Sequence, residues 1–123
     1  MKTFTLKNGD TATARKIWAG TTVAGAPAPS ASENGYSLQG ADWLHVYVDL
    51  LTGATAATVI VWYFSDISNQ WYQGDSVAIT ATDKIALIEV RGEFAAYFQV
   101  SSITGGGGTV DLWAGYSYEG QTD

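Results

Sequence analysis

Apolar and polar residues alternate through much of this chain with a period of two, which places successive side chains on opposite faces of an extended strand. In "WLHVYVDL" the aliphatic set Leu44, Val46, Val48 and Leu50 alternates with Trp43, His45, Tyr47 and Asp49. The pattern predicts a half-buried strand with one aliphatic face and one mixed polar and aromatic face. After the turn-forming run "TGATA", the segment "ATVIVWYFSD" is almost wholly apolar, β-branched or aromatic. Such a run suits a central strand covered on both faces. Further runs at "QWYQ", "SVAIT", "KIALIEV", "FAAYFQV" and "TVDLWAGYSY" are separated by "DISN", "GD", "TATD", "RGE" and a glycine tract. These separators are short and rich in turn formers. No window of helical length carries a convincing 3.6-residue stripe, so the expectation is an all-β antiparallel sandwich or barrel.

The first third departs from this pattern. From Gly20 to Gly35, "GTTVAGAPAPSASENG" holds small residues and both prolines with no strong period, which predicts an extended arm or long loop. Thr3 to Trp18 reads as one or two edge strands joined to the body by that loop. The expected organisation is an N-terminal segment over residues 1–35 and a β core over 36–123, within one domain. An arm reaching a neighbouring subunit is the alternative use of the N-terminal segment.

Composition narrows the partners. The chain has 123 residues, 46% of them apolar and only 15% charged, which suits one folded core of substantial size. Six basic against twelve acidic residues give a net charge of −6, so a nucleic-acid backbone is repelled and is not an expected partner. The longest apolar run is too short to span a bilayer, and no membrane partner is expected. The absence of cysteine excludes disulfides, thiolate metal sites and a cysteine nucleophile.

The tract Gly105 to Gly108 raises the question of a phosphate cradle. "GGGGTVDLW" has Val110 where a dinucleotide fingerprint needs its third glycine, and it leads into a strand rather than a helix. No lysine lies near enough for a P-loop. The tract reads instead as the tip of a hairpin, where glycine supplies positive φ angles without steric cost. One histidine, His45, lies in mid-strand with no nucleophile elbow to serve, so no catalytic residue is expected.

Carboxylates are scattered at Asp42, Asp49, Asp66, Asp75, Asp83, Glu89, Glu93 and Asp111, mostly at turns where aspartate caps its own backbone. A calcium ion is conceivable at "DISNQWYQGD" through Asp66, Asn69 and Asp75, but the loop pattern of a dedicated site is missing. The expectation is no cofactor and no metal.

Five Trp and seven Tyr are the unusual feature. Trp62, Phe64, Phe94 and Phe98 fall on runs dense enough to be core. Trp18, Trp43, Tyr47, Trp71 and Tyr72 are the candidates for an exposed interface, by strand parity or because they border a turn. Exposed Trp and Tyr with few charges mark either a protein interface or a sugar-stacking platform, and both readings stay open.

From about Thr58 to Tyr118 the chain resembles small structural proteins of tailed bacteriophages. The resemblance is carried by the strand "VIVWYFSD", the Trp-bearing "SNQWYQ", the turn "RGEF", the aromatic strand "AAYFQVSSI" and the glycine-rich connection to "GTVDLWAG". It implies a jelly-roll-like β-sandwich in a virion, made in the host cytoplasm and serving as a capsid decoration or cement protein. The implied partners are the major capsid protein or other virion proteins, with self-association, by analogy as a trimer. A carbohydrate-binding or adhesion module of a tail or fibre is the alternative on the same fold.

Overall fold

The computed structural model describes residues 2–5, 11–22, 35–82 and 84–118, the first two segments as backbone. The strands are β1 (Lys2–Thr5), β2 (Thr11–Thr22), β3 (Tyr36–Ser37), β4 (Trp43–Leu51), β5 (Ala56–Ser65), β6 (Gln70–Thr80), β7 (Ile85–Glu89), β8 (Ala95–Thr104) and β9 (Thr109–Ser117). They form a five-stranded sheet, β1-β2-β9-β4-β7, and a four-stranded sheet, β3-β8-β5-β6. Every pairing is antiparallel and the described residues contain no helix. The fold is the all-β sandwich that the alternation predicts.

The topology follows from one long hairpin rolled up. Within the sheets β2 pairs with β9, β3 with β8, β4 with β7 and β5 with β6, the ladder of a chain folded back on itself at the β5–β6 turn. Rolling that ladder brings β9 also against β4 and β8 also against β5. Leaving out the edge strand β1, the eight strands β2 to β9 fall into two sheets in the order of a jelly roll.

The inner faces of the two sheets supply the core. Leu44, Val46 and Val48 of β4 and Val110, Leu112 and Ala114 of β9 meet Ala57, Val59, Val61 and Tyr63 of β5 and Ala96, Phe98 and Val100 of β8. Leu38, Ile79, Ile88 and Val90 close the ends. The aliphatic face of "WLHVYVDL" is therefore the buried one, with Leu50 packed at its margin.

Four sequence expectations change. The glycine tract joins β8 of one sheet to β9 of the other, so it is an arch between sheets and not a hairpin tip. Period-two alternation on both sides reveals two strands but not whether they pair with each other. The β4–β5 connection is a second arch alongside, and the two touch: a Cβ added at Gly105 (φ 113°) would collide with the Gly53 carbonyl oxygen.

Second, "QWYQ" and "SVAIT" are one strand. The "GD" between them is a bulge at Gly74–Asp75, where the register with β5 steps between Ile60 and Trp62. Glycine is required there because a Cβ on Gly74 would enter the Tyr63 ring.

Third, β5 is central but covered on one face only, with burial alternating along it. Fourth, β2 is not an edge: it lies between β1 and β9. Gly20 belongs to β2, and residues 23–34 of the expected loop lie outside the described residues.

Candidate functional site

The outward face of the four-stranded sheet is built from the residues of β5 that do not enter the core. Trp62 and Phe64 were expected in the core by density of apolar residues, and both stand instead half-buried on this outer face. Phe94, also expected in the core, is 59% exposed in the turn before β8. Phe98 alone of that group is core. Strand parity decides the matter: Val61 and Tyr63 point inward, so their neighbours point out.

Register then assembles the face. Phe64 is opposite Trp71 of β6, and Trp62 lies between Gln73 of β6 and Tyr97 of β8. Ring centroids separate by 5.2 Å for Phe64 and Trp71, 6.3 Å for Phe64 and Phe94, and 5.9 Å for Trp71 and Tyr97, an unbroken aromatic run. The Trp62 indole N–H donates to Gln99 Oε1 at 2.7 Å. No outward register position on β5, β6 and β8 from Thr58 to Phe64 carries a charged side chain, in a chain of net charge −6.

Trp71 meets Phe64 close to edge-on, with the ring planes at 67°. Its ring lies against Gly35, where an added Cβ would come within 2.5 Å of the indole. Tyr72, its neighbour in sequence, points to the other face and is 43% exposed. Trp71 and Tyr72 cannot form one stacking platform, since consecutive strand residues diverge.

Tyr72 joins a polar cluster at the end of the sandwich. Its hydroxyl donates to Glu93, and the Tyr63 hydroxyl donates to Asp75 Oδ2 at 2.7 Å. Burial first, then the hydrogen bond to Glu93, push the Tyr72 phenol up to about 12. Burial, reinforced by Asp75, holds Tyr63 far above the ordinary tyrosine range. Asp66 and Asn69 lie in the β5–β6 turn and Asp75 at the bulge opposite Val61, so the strand ladder separates the oxygens considered for calcium.

The outer face of the five-stranded sheet is the second surface. Trp43 and Tyr47 share it, flanking His45, and Tyr47 sits in a row with Trp113 of β9 and Ile85 of β7. The hydrogen bond to Asp49 holds the Tyr47 phenol above its ordinary value. Asp49 and Asp111 are directly opposite across β4 and β9, a like-charge pair that opposes strand pairing. Trp18 is paired in register with Leu112 of β9. The five residues singled out by sequence thus divide between sheets: Trp43 and Tyr47 share one face of β4 with His45 between them, Trp71 lies on the opposite sheet, and Tyr72 is turned away from it.

His45 is unexpected. It lies on the outer face by parity, yet it is fully buried, with Nε2 2.7 Å from the Ser117 hydroxyl oxygen. Burial lowers its pKa from the ordinary 6.5. Ser117 is also fully buried, so the pair lies beneath the described surface.

No family model matches this chain, and no curated protein does. Among solved structures, the crystal structure of the SPBc2 prophage-derived protein YomS is similar. The similarity covers 86% of this chain and 93% of that one at 14% identity, with a TM-score of 0.53. At that identity the likeness is one of fold.

Proposed function

We propose that this protein is a non-enzymatic structural component of a bacteriophage virion, and most specifically a capsid decoration or cement protein. The observation that carries the reading is the uncharged aromatic face built by Trp62, Phe64, Trp71, Phe94 and Tyr97, outside the core and without a role in closing it. Interfaces concentrate aromatic residues and deplete charge at their centres. The prophage origin of YomS, a protein of similar fold, supports a phage setting. Burying apolar surface against capsid subunits contributes about 25 cal/mol per Å² before association costs. Repetition over symmetry-related copies turns modest contacts into a durable clamp.

The direct test compares phage particles assembled with and without this chain under heating. Particles lacking it should release their DNA at lower temperature, and restoring the Trp62→Ala, Phe94→Ala double variant should not repair them. Equal rupture temperatures overturn the reading.

A second reading is favoured by the amides of Gln73 and Gln99, which flank Trp62 on an otherwise aromatic face. Aromatic rings with adjacent amides and no charge suit a neutral glycan, as in an adhesion module of a tail or fibre. Binding on a glycan array that disappears with Trp62→Ala or Trp71→Ala favours this reading over the first.

A further inference from the structure

The last residues of β9 are held differently from the rest of the strand. The register of β9 with β2 runs from Val110 to Ala114, while its register with β4 continues to Ser117, opposite Trp43. Among the described residues Gly115, Tyr116 and Ser117 are therefore paired on one side only. Beyond the ladder, Asp42 N–H donates to the Ser117 carbonyl at 3.0 Å and the Tyr118 hydroxyl donates to the Gln39 carbonyl at 2.8 Å. Segments tied down on one side open locally at a lower free energy than the core unfolds.

His45 is placed where such an opening reaches it. It lies directly opposite Gly115, and its Nε2 is 2.7 Å from the Ser117 hydroxyl oxygen, with both side chains fully buried. Lifting this end of β9 removes the strand beside the imidazole and its hydroxyl partner in one step. From β7, Leu87 is opposite His45 and Glu89 lies one outward position on. Glu89 and Asp42, the nearest acids in register, are both paired with Arg91, at 3.4 and 3.3 Å. The outward neighbours on β4 are Trp43 and Tyr47, whose phenol is bonded to Asp49, and those on β9 are Trp113, Gly115 and Ser117. β2 brings Lys16 and Arg15 to the register positions opposite Trp113 and Ala114. Burial is the cause that keeps the closed imidazole neutral.

We infer that Gly115 to Tyr118 is an acid-sensitive latch: as pH falls below neutral, proton uptake by His45 favours a state in which this end of β9 is lifted from β4 while the rest of the sandwich stays folded. The lifted state has a defined consequence. The Tyr116 ring lies 6.1 Å from Tyr36 and 6.1 Å from Tyr118, and Tyr36 lies 6.2 Å from Phe98. Releasing the latch therefore uncovers the Tyr36 ring at the end of the core and frees the backbone of Trp43 to His45 on that side of β4. The device is independent of whether the chain serves in a virion.

The sign follows from linkage. His45 is neutral when closed and has an ordinary imidazole, near 6.5, when lifted, so the lifted state binds more protons below that value. Lifting becomes more favourable by up to about tenfold between pH 7.5 and 5.5. Amide hydrogen exchange, corrected for its intrinsic pH dependence, reads this on the unmodified protein. The Asp42 amide, bonded to Ser117, should lose protection by up to about tenfold over that range. In low urea its exchange should stay nearly constant while amides of the central strand β5 lose protection steeply, the mark of a local opening. His45→Gln, which keeps a neutral hydrogen-bonding side chain, should remove the pH dependence at Asp42. Should that variant fail to fold, the His45 ring titration followed by NMR in the unmodified protein takes its place, and loss of Asp42 protection should track it. Constant Asp42 protection from pH 7.5 to 5.5, a urea dependence at Asp42 equal to that of β5, the same loss in His45→Gln, or a ring titration that Asp42 does not follow overturns the inference.

Discussion

The His45 imidazole and the Ser117 hydroxyl lie 2.7 Å apart across β4 and β9, both fully buried on the sheet face that points away from the core. A neutral imidazole can both donate and accept, and it is the neutral form that burial favours.

Acid should therefore weaken the protein through this residue. With the folded pKa below the unfolded value of 6.5, the unfolded chain binds more protons in the window beneath 6.5. The stabilisation is complete above 6.5 and is lost as pH falls toward the folded pKa. Urea midpoints measured from pH 7.5 to 5 should fall more steeply for the native protein than for His45→Gln. Parallel curves would show that His45 does not titrate with folding.

Alkali should act through the phenols. Tyr63 and Tyr72 both have folded pKa values above the ordinary 10.0, so the unfolded chain loses protons first. Stability is full below pH 10 and falls as pH rises toward 12. Ultraviolet titration of tyrosinate should show Tyr72 ionising near 12, and the Tyr63→Phe, Tyr72→Phe double variant should lose much of the decline in thermal midpoint between pH 10 and 12.

The arches make opposite demands on adjacent glycines. Gly105 has φ of 113° and no room for a Cβ, whereas nothing lies within 4 Å of a Cβ at Gly106. Gly105→Ala should cost about 2 kcal/mol or more in denaturant unfolding through strain and displacement of the neighbouring turn. Gly106→Ala should lie within about 0.5 kcal/mol of the native protein. Equal effects would mean that the two arches do not touch in solution.

Thr52 is β-branched yet has φ of 53°, followed by Gly53 at 82°, and the turn closes through Ala54 N–H to the Leu51 carbonyl at 3.0 Å. Two positive φ angles favour Asn-Gly. Thr52→Asn should stabilise by about 0.5–1 kcal/mol, reduced by the loss of the 3.3 Å hydroxyl contact with Thr109. Chemical denaturation of the two forms checks the sign.

Local alternation made the strands legible, and "WLHVYVDL" even revealed which face is buried, because parity is a property of consecutive residues. What alternation does not carry is partnership. The strands on either side of Gly105–Gly108 look like a hairpin from the sequence, yet β8 pairs with β3 and β5 while β9 pairs with β2 and β4. Parity also held the clue to Trp62 and Phe64, which share the outward positions of β5, but the apolar density of "VIVWYF" masks it. Of the candidate surface, Trp43 and Tyr47 were readable from parity along one strand. The run from Phe94 through Phe64 and Trp71 to Tyr97 was not, since it depends on cross-strand register between distant segments. The burial of His45 has no signal in its neighbours, which alternate as an exposed position would.

The rolled ladder also sets the order in which this chain can fold. Within the rolled ladder β5 and β6 are the pair joined by a short local turn, so their hairpin forms on the microsecond scale of such elements, and β1 with β2 is likewise a pairing of consecutive strands. Each further rung of the ladder joins segments more distant in sequence, and β2 with β9 comes last, which places the whole process among the slow folders with non-local pairing. β2 can pair with β1 at once, but its other partner, β9, follows only after β3 to β8. One edge of β2 therefore stays open until β9 is made, and that interval, more than the finished sandwich, is where the chain is open to misassociation.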